Sequence, residues 1–307
     1  MEYPTIDIMN HAGATGRRGN TPMKNPFDYE EFKIMTRTTF KSVFGGKEPD
    51  AATFKAMGEA QAKAAPSSIK EVIEEMDKLG YEKLVLSATK MWSYWWHHEH
   101  ILDYPIDDLG EAVAESNGRL IGGASYSPFR IEDSLKEVEK GVKEYGFKYV
   151  WFHPLSYGLA PNDRRFYPLY AKCAELDIAV GFQVGHSAEP LPSDVGRPML
   201  ADDVAIEFPY LRINLSHTGW PWVDEWCSML WRHPNVYGDI SAYFPKSLDD
   251  RLVRFMNSSR GRDKVLFGTN GLGLERCRTE FLDMDLKEET KTMVLHDNAV
   301  RFLKLEE

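Results

Sequence analysis

Short runs of apolar residues alternate along the chain with longer segments in which apolar residues recur every three or four positions. The short runs are typical of buried β-strands, and the longer segments are typical of amphipathic helices. Eight strands are predicted, at residues 5–9, 83–88, 119–125, 148–153, 178–184, 212–216, 235–240 and 264–268. Helices are predicted at residues 67–79, 107–116, 131–145, 165–176, 222–231, 248–257 and 287–303.

Strands that alternate with helices indicate βαβ units and a parallel sheet. Eight such strands in 307 residues favour the α/β class and a (β/α)8 TIM barrel, with a doubly wound open sheet as the alternative. No GxGxxG sequence follows any predicted strand, which weakens the dinucleotide-binding form of that alternative. No change in composition marks a linker, so we predict one domain over residues 1–307.

Two insertions interrupt the alternation, after the first and the second strand. Residues 12–64 are polar and contain glycine, and they include Arg17, Arg18 and Lys24. These cations suit a carboxylate or the phosphates of coenzyme A, although a solvated loop accounts for them more simply. Long loops of this kind are usually functional or disordered.

The second insertion, residues 89–106, reads "TKMWSYWWHHEHILDYPI" and is too aromatic for a disordered segment. We therefore predict that it is ordered. One interpretation places it as a roof over a pocket for a flat, apolar or aryl substrate. The other makes it the contact of a homodimer, because Trp and Tyr are enriched at interfaces. The residues that carry both interpretations are Trp92, Tyr94, Trp95 and Trp96.

The charge and cysteine content exclude several classes of protein. A net charge of −10 argues against a nucleic-acid surface, which needs a basic face. The sequence contains no stretch of about 18 apolar residues, so we expect no membrane span. The three cysteines are far apart and form no CxxC pair, which suits a reducing compartment, so we expect a cytoplasmic protein. With nucleic acid and membrane excluded, we expect its partner to be a small-molecule substrate.

Polar residues end most of the predicted strands, and in a TIM barrel the chemistry lies at the carboxyl ends of the strands. Several histidines that converge on one rim indicate a site more strongly than a lone histidine does. A structural role remains the simpler interpretation for His153 and Asp239. The polar strand ends are His11, His153, Gln183 with His186 beyond it, His217, Asp239 and Asn270.

The stretches "IDIMNH", "GFKYVWFHP", "INLSHTGWPWVDE" and "KVLFGTNGLG" resemble the amidohydrolase superfamily, in the branch that contains aminocarboxymuconate-semialdehyde decarboxylase. The resemblance covers nearly the whole chain and implies a TIM barrel with a metal-assisted site. It implies two histidines after strand one, of which His11 is one and Met9 takes the place of the other. His217 matches the expected catalytic histidine, whereas Gln183 and Asn270 stand where a histidine and an aspartate are expected.

This altered set leaves two alternatives for the cofactor. Methionine is a poor ligand for a hydrolytic zinc, and the amides at Gln183 and Asn270 add no charge. If the loop at His186 curls inward, His11, His186 and His217 could hold one divalent ion such as zinc. We prefer the metal-free alternative, in which the polar rim binds the substrate directly.

A narrower resemblance, in "QVGHSAEPLPSDVGRP", "HTGWPW" and "FGTN", is to 4-hydroxyphenyl-β-ketoacyl-CoA hydrolases. It implies hydrolytic, retro-Claisen cleavage of a carbon–carbon bond in an aryl or cyclic β-ketoacyl substrate or its CoA thioester. His217 is then the general base. His11, Asn270 and Gln183 would stabilise the oxyanion and enolate. His153 and His186 would line the pocket with the aromatic residues of the second insertion.

Three other interpretations stay open. Non-oxidative decarboxylation passes through a similar carbanion and is the main rival within the enzymes. Lactone hydrolysis or hydration by a related superfamily member is the next. A different class of protein would be a catalytically silent barrel that binds a ligand or a partner.

Overall fold

A computed structural model of the protein describes residues 3–15, 25–38, 50, 52–56, 59, 66 and 68–305. Its strands are β1 Thr5–His11, β2 Tyr81–Ser87, β3 Lys90–Trp92, β4 His100–Asp103, β5 Leu120–Ala124, β6 Tyr149–Phe152, β7 Ala179–Gln183, β8 Ile213–Ser216, β9 Val236–Asp239 and β10 Val265–Leu266. All the strands except β3 and β4 form one parallel sheet in the order β1-β2-β5-β6-β7-β8-β9-β10. Backbone bonds from Ile8 N to Phe267 O (2.9 Å) and from Asn270 N to Met9 O (2.8 Å) join its two edges.

The sheet is therefore the predicted (β/α)8 barrel, and each of the eight predicted strands overlaps a barrel strand. Helices pack around it: α1 Glu30–Thr38, α2 Ile69–Leu79, α3 Ile106–Glu115, α4 Ile131–Tyr145, α5 Tyr167–Glu175, α6 Asp202–Glu207, α7 Val223–Arg232, α8 Asp250–Met256, α9 Leu274–Leu282, α10 Glu288–Thr292 and α11 Asn298–Leu303.

Helix α2 shows how local sequence sets these elements. Ser68 accepts a hydrogen bond from the backbone N–H of Glu71 (3.2 Å), which satisfies an orphan donor at the helix start. Gly80 ends the helix at a φ of +80°, a conformation that glycine adopts without steric cost. Between them Ile69, Val72 and Met76 lie on one face and are buried in the main core.

Outside the two insertions, the structure differs from the predicted helices in three places. The pattern predicted one helix over 287–303, but a π-helical turn, Met293–Asp297, separates α10 from α11. Helices α6 and α9 were not predicted, since α6 is short and α9 carries few apolar residues.

The second insertion is ordered, as predicted, and contains the antiparallel hairpin of β3 and β4. The first insertion is described in part, and it includes α1. Arg17, Arg18 and Lys24 lie outside the described residues. No helix among residues 68–305 or the shorter described segments is long and apolar enough to cross a membrane.

Candidate active site

Trp151, on β6, lies at the centre of the carboxyl-terminal mouth of the barrel and is 2% exposed. Three histidine rings surround its indole ring. Their centroids lie 5.8 Å (His11), 6.0 Å (His153) and 6.0 Å (His217) from the Trp151 ring. The indole N–H donates to Ser216 Oγ on β8 (3.0 Å) and so holds the ring in place. The structure thus brings the histidines that end three different strands to one apolar platform.

The backbone at His217 adopts a conformation that L-residues rarely take. His217, Thr218 and Gly219 follow β8 with φ values of +74°, +62° and +68°. The N–H of Thr218 donates to the carbonyl of Asp239 (3.1 Å), and the N–H of His217 donates to Asp239 Oδ1 (3.2 Å). Left-handed non-glycine residues are strained and persist where their surroundings hold them, often at functional sites. Here β9 holds the segment and directs the imidazole over Trp151.

The proton on His217 is placed by a chain of two neighbours. Ser241 Oγ donates to Asp239 Oδ1, because a carboxylate oxygen can only accept. The serine oxygen therefore accepts from Nδ1–H of His217, at 2.6 Å. A neutral imidazole carries one N–H, so Nε2 of His217 keeps its lone pair. Nε2 makes no hydrogen bond with a described residue, and it can act as a base toward a ligand.

Opposing forces set the charge of His217. Burial lowers the pKa of this histidine, the negative charge of Asp239 raises it, and nearby His153 lowers it. The balance lies below the ordinary histidine value. His217 is therefore neutral at pH 7 and available as a base.

Asp239 is completely buried and accepts hydrogen bonds from several donors, including Asn214 Nδ2 at 2.7 Å. Its contacts with His217 and Ser241 make it part of the proton chain. The structural role that we expected for it is therefore incomplete: Asp239 both braces the rim and orients the histidine.

His11 lies in a different environment, because both of its ring nitrogens have partners. Nε2 lies 2.9 Å from the carbonyl oxygen of the Asn270 side chain, which can only accept, so Nε2 carries the proton. Nδ1 then accepts from the hydroxyl of Thr89, at 2.8 Å. Burial is the main cause that lowers the pKa of His11 to about 4, and the positive form of His217 disfavours its protonation further. His11 is a neutral ring that holds Asn270.

Two hydrogen bonds hold Asn270. Its backbone N–H donates to the carbonyl of Met9 (2.8 Å), and its side-chain carbonyl accepts from Nε2–H of His11 (2.9 Å). Its backbone is left-handed (φ +53°), which asparagine tolerates better than most residues. Its Nδ2 amide makes no hydrogen bond with a described residue. A donor so placed can stabilise negative charge on a bound ligand.

The fully buried Asp7 anchors this side of the rim to the end of β10. It accepts from Thr269 N (3.0 Å), Thr269 Oγ1 (2.6 Å), Met9 N (3.1 Å) and Asn10 Nδ2 (2.6 Å). Burial raises the pKa of Asp7 to about 7, against the lowering effect of those hydrogen bonds. Asp7 thereby fixes Thr269, and with it the neighbouring Asn270.

His153 uses both nitrogens in the rim itself. Nδ1 accepts from the backbone N–H of Ser156 (3.1 Å), so Nε2–H faces Ser187 Oγ (3.3 Å). Burial lowers the pKa of His153 to about 4. Ser187 in turn donates to Glu189. His153 therefore has no free nitrogen in the described structure.

Gln183 is the last residue of β7, and His186 lies in the loop that follows it. Gln183 is 5% exposed, and its side-chain amide lies 3.4 Å from the carbonyl of His186. The His186 ring lies between Trp220 and Trp222, with centroid distances of 5.4 and 5.2 Å, and its Nδ1 contacts Ser193 Oγ at 2.6 Å. These contacts pack His186 against the loop after β8, and no ring contact joins it to Trp151.

The four aromatic residues of the second insertion have different environments. Trp92 packs against Phe129 and Tyr157, at ring distances of 5.0 and 6.3 Å. Tyr94 lies against Gly158, where a Cβ atom would come within 2.2 Å of its ring. Trp95 and Trp96 are 60% and 43% exposed. Trp92 and Tyr94 thus pack beyond the end of β6, whereas Trp95 and Trp96 face outward; their predicted role as roof or dimer contact stays a prediction.

The residues of the rim do not fit a metal centre of the kind that the resemblance implies. Met9 is 1% exposed and lies in a buried apolar cluster with Ile8, Trp151 and Leu266. Nε2 of His11, which would have to offer a lone pair, donates to Asn270. Among the described residues no group of three or more His, Cys, Asp or Glu side chains is placed to hold a metal ion. The metal-free alternative stays a prediction, and we assign no step to a metal.

Several residues of this site were missed by the sequence analysis. Ser241 could have been found, because it lies two residues beyond Asp239 and alternate strand residues share a face. The same rule relates Asp7 to Met9 and His11. Glu189 lies in a loop whose path the sequence does not reveal.

A cleft of about 340 Å³ lies next to this rim, lined by Thr218, Trp220, Val223, Tyr243, Ser247, Leu248 and Asp249. Its walls do not include His11 or His217. We therefore place the chemistry at the Trp151 platform and not in this cleft.

Three solved structures of similar fold cover nearly the whole chain. An uncharacterised TIM-barrel protein from Bordetella bronchiseptica is 24% identical, with a TM-score of 0.74 over 98% of both chains. A 2,6-dihydroxybenzoate decarboxylase from Rhizobium is 16% identical, with a TM-score of 0.63 over 99% of both chains. A dihydroxybenzoic acid decarboxylase from Polaromonas, solved with manganese and 2-nitroresorcinol, is 17% identical, with a TM-score of 0.62 over 99% of this chain and 97% of that one. The TM-scores show that these proteins share the fold of this chain.

A family model described as amidohydrolase matches residues 61–305. The matched segment contains β2 to β10 together with His153, His217 and Asn270, whereas β1 with His11 precedes it. The match thus covers most of the chain, including strands β8 and β9 and the residues that follow them. The chain therefore belongs to the amidohydrolase family.

Proposed function

We propose that the protein is an enzyme that breaks a carbon–carbon bond, with Nε2 of His217 moving a proton from an oxygen atom to a carbon atom. The observation that carries this proposal is the chain from Nδ1–H of His217 through Ser241 to Asp239, which leaves Nε2 bare. When Nε2 takes a proton, the buried carboxylate of Asp239 stabilises the imidazolium through the serine. Such an arrangement lets one group act first as base and then as acid.

Decarboxylation of a hydroxyaryl carboxylate is the first candidate reaction. The Rhizobium and Polaromonas proteins of the same fold, named as decarboxylases of dihydroxybenzoates, support it. Nε2 would take the proton of the ring hydroxyl and deliver it to the ring carbon that bears the carboxylate. The bond to the carboxylate then breaks, its electron pair returns to the ring, and CO2 leaves. The phenolate product takes a proton from solvent.

Hydrolytic cleavage of an aryl β-ketoacyl substrate, free or as a CoA thioester, is the second candidate. One observation supports it: no lysine or arginine among the described residues is hydrogen-bonded or ion-paired to the rim residues, so none of these described cations is fixed there to hold a substrate carboxylate. His217 would deprotonate water, which adds to the ketone carbon. The alkoxide collapses, and the electron pair of the broken bond forms an enolate. His217 then returns its proton to the enolate carbon.

Asn270 would serve both reactions in the same way. Each forms negative charge on an oxygen, either a phenolate or an alkoxide and enolate. The Nδ2 hydrogens of Asn270, oriented by His11, can donate to that oxygen.

The test is turnover in D2O of two substrates, a dihydroxybenzoate and an aryl β-ketoacyl thioester. We expect one of them to give a product that carries solvent deuterium at the cleaved carbon. Release of CO2 identifies the first reaction, and release of an aryl carboxylate identifies the second. His217→Asn should lower turnover by about a hundredfold or more, while His296→Asn, which removes a histidine paired with Glu82 and Asp297, should leave it unchanged. No cleavage of either substrate would favour a barrel that only binds a ligand.

The proposed reaction needs no resident metal. The structure from Polaromonas contains manganese, but among the described residues of this chain no group of three or more His, Cys, Asp or Glu side chains is placed to hold a metal ion. We expect protein treated with a chelator to retain its turnover with less than stoichiometric metal by elemental analysis. Turnover that is lost on chelation and restored by manganese or zinc would contradict this.

A further inference from the structure

Glu189 lies in the loop that follows β7. It is partly buried. Its Oε2 accepts the hydroxyl proton of Ser187, and Ser187 Oγ lies 3.3 Å from Nε2 of His153. Its Oε1 accepts no hydrogen bond from a described residue. A carboxylate with one free oxygen is thus tied to a histidine of the rim.

The rim therefore contains two chains of the same composition. His217 is linked through Ser241 to Asp239, and His153 is linked through Ser187 to Glu189. Both imidazole rings lie 6.0 Å from the indole ring of Trp151, so both chains end at the same platform. Asp239 is buried behind its histidine, whereas Glu189 is partly exposed.

The negative charge of Glu189 acts on two of the three rim histidines, His11 and His217, whereas the charge that acts on His153 comes from His11. The charges that act on His217 come from Asp239, His153 and Glu189. Those that act on His11 come from His217 and Glu189, while Asn270 contacts it by a hydrogen bond. Burial lowers the pKa of both histidines, and the negative charge of Glu189 opposes that shift. No described lysine or arginine is paired with Glu189, so its charge is not neutralised locally.

We propose that Glu189 is a further residue of the proton-transfer machinery, a positioning residue whose carboxylate stabilises the imidazolium that His217 becomes during turnover. The assignment rests on the proposed role of His217. Ser187 and His153 hold the carboxylate at the mouth, and its negative charge acts on His11 and His217. The buried Asp239 and the partly exposed Glu189 thus stabilise the same positive charge.

The test compares Glu189→Gln with Asp194→Asn. Both variants remove one negative charge from the same loop, but Asp194 is exposed and does not act on His11 or His217. Histidine titrations by NMR of 15N-labelled protein report the two rings, assigned from His11→Gln and His217→Asn. In Glu189→Gln we expect both pKa values to fall by about half a unit or more, the scale of one charge acting through partly buried surroundings. In Asp194→Asn they should stay as in the parent.

Turnover gives the second reading. The acid limb of kcat/KM should move to lower pH in Glu189→Gln, with kcat reduced by about tenfold, as expected when a stabilising charge is lost. Glu189→Asp should restore part of both effects. Unchanged histidine titrations in Glu189→Gln would overturn the assignment, whether or not a substrate is turned over. Shifted titrations in a protein that cleaves neither substrate would uphold the electrostatic link and overturn the proposed reaction instead.

Discussion

His217 and His11 lie over the same indole at the ends of different strands, yet they have different chemistry left to offer. His217 gives Nδ1–H to Ser241 and keeps Nε2 bare. His11 uses one nitrogen for Thr89 and the other for Asn270. Position on the rim therefore does not decide which histidine is the base. The number of ring nitrogens already bonded to the protein decides it.

The two histidines also differ in what lies behind them. A buried carboxylate supports the positive form of His217 through a serine. The neighbours of His11 are a hydroxyl and an amide, and neither carries a charge. A proton is therefore more easily held at His217 than at His11, which suits His217 for transfer and His11 for orienting Asn270.

The largest expected effect comes from removing the bare nitrogen. His217→Asn, which suits the left-handed backbone, should lower kcat by about a hundredfold or more, the scale of general acid–base catalysis. His11→Gln, in which the glutamine can still hydrogen-bond to Asn270, should lower kcat by clearly less. Steady-state kinetics on the substrate identified above gives both numbers, with circular dichroism to check the fold. Equal losses in the two variants would remove the distinction between the histidines.

The next effect concerns Asn270. Replacing it with Ala removes an oxyanion donor and should lower kcat by up to about a hundredfold. Asn270→Asp is more informative, because it places a negative charge beside His11 and beside the developing anion. We expect the pKa of His11 to rise and kcat to fall. A faster variant that depends on manganese or zinc would show instead that the position is a metal-ligand site.

A smaller loss is expected for Ser241→Ala, which leaves both His217 and Asp239 in place but breaks the bridge between them. A hydrogen bond to a charged group contributes about 1.5–3 kcal/mol, so we expect kcat to fall by about tenfold or somewhat more. Ser187→Ala is the matched change in the other chain and should cost less. If kcat fell further in Ser187→Ala than in Ser241→Ala, the proton would be transferred by the chain that contains His153, and our assignment to His217 would be wrong.

The smallest effect is on stability. Burial lowers the pKa of His11 and His153 to about 4 from an ordinary value of 6.5, so the unfolded chain binds more protons between these values. Their contribution to stability is therefore lost as the pH falls from 6.5 to 4. Asp7 acts oppositely, since burial raises its pKa from 3.8 to about 7 and its contribution is lost as the pH rises through that range.

We expect the two histidines to outweigh the single aspartate. The free energy of unfolding, measured with urea, should be lower at pH 4.5 than at pH 7. The difference should shrink in His153→Gln, which removes one of the two histidines. An identical pH dependence in parent and variant would show that His153 is not buried as a neutral ring.

The barrel could be predicted from the sequence because most of its strands are short, mainly apolar runs, as expected for strands that are covered on both sides. The hairpin of β3 and β4 could not, because its segment mixes aromatic residues with histidines and shows no alternation. Helix α9 was missed for a related reason: its apolar positions are few, and only one face of it packs on the core.

The candidate site could be predicted in outline only. Strand ends placed His11, His217 and Asn270 correctly at one mouth. The proton on His217 could not be assigned, because that depends on Ser241, whose hydroxyl meets the ring only after two strands pair. The contribution of Glu189 depends on the path of a loop, which hydrophobic periodicity does not specify.

The most direct test of the account is the protonation state of His217. A long-range 1H–15N spectrum of histidine-labelled protein, with the signal assigned by its loss in His217→Asn, distinguishes the two ring nitrogens. We predict a neutral ring at pH 7 with the proton on Nδ1 and a bare Nε2. This state should persist below pH 6.5, because burial lowers the pKa of His217. A proton on Nε2 of a neutral ring, or a charged imidazolium at pH 7, would contradict the proposed base.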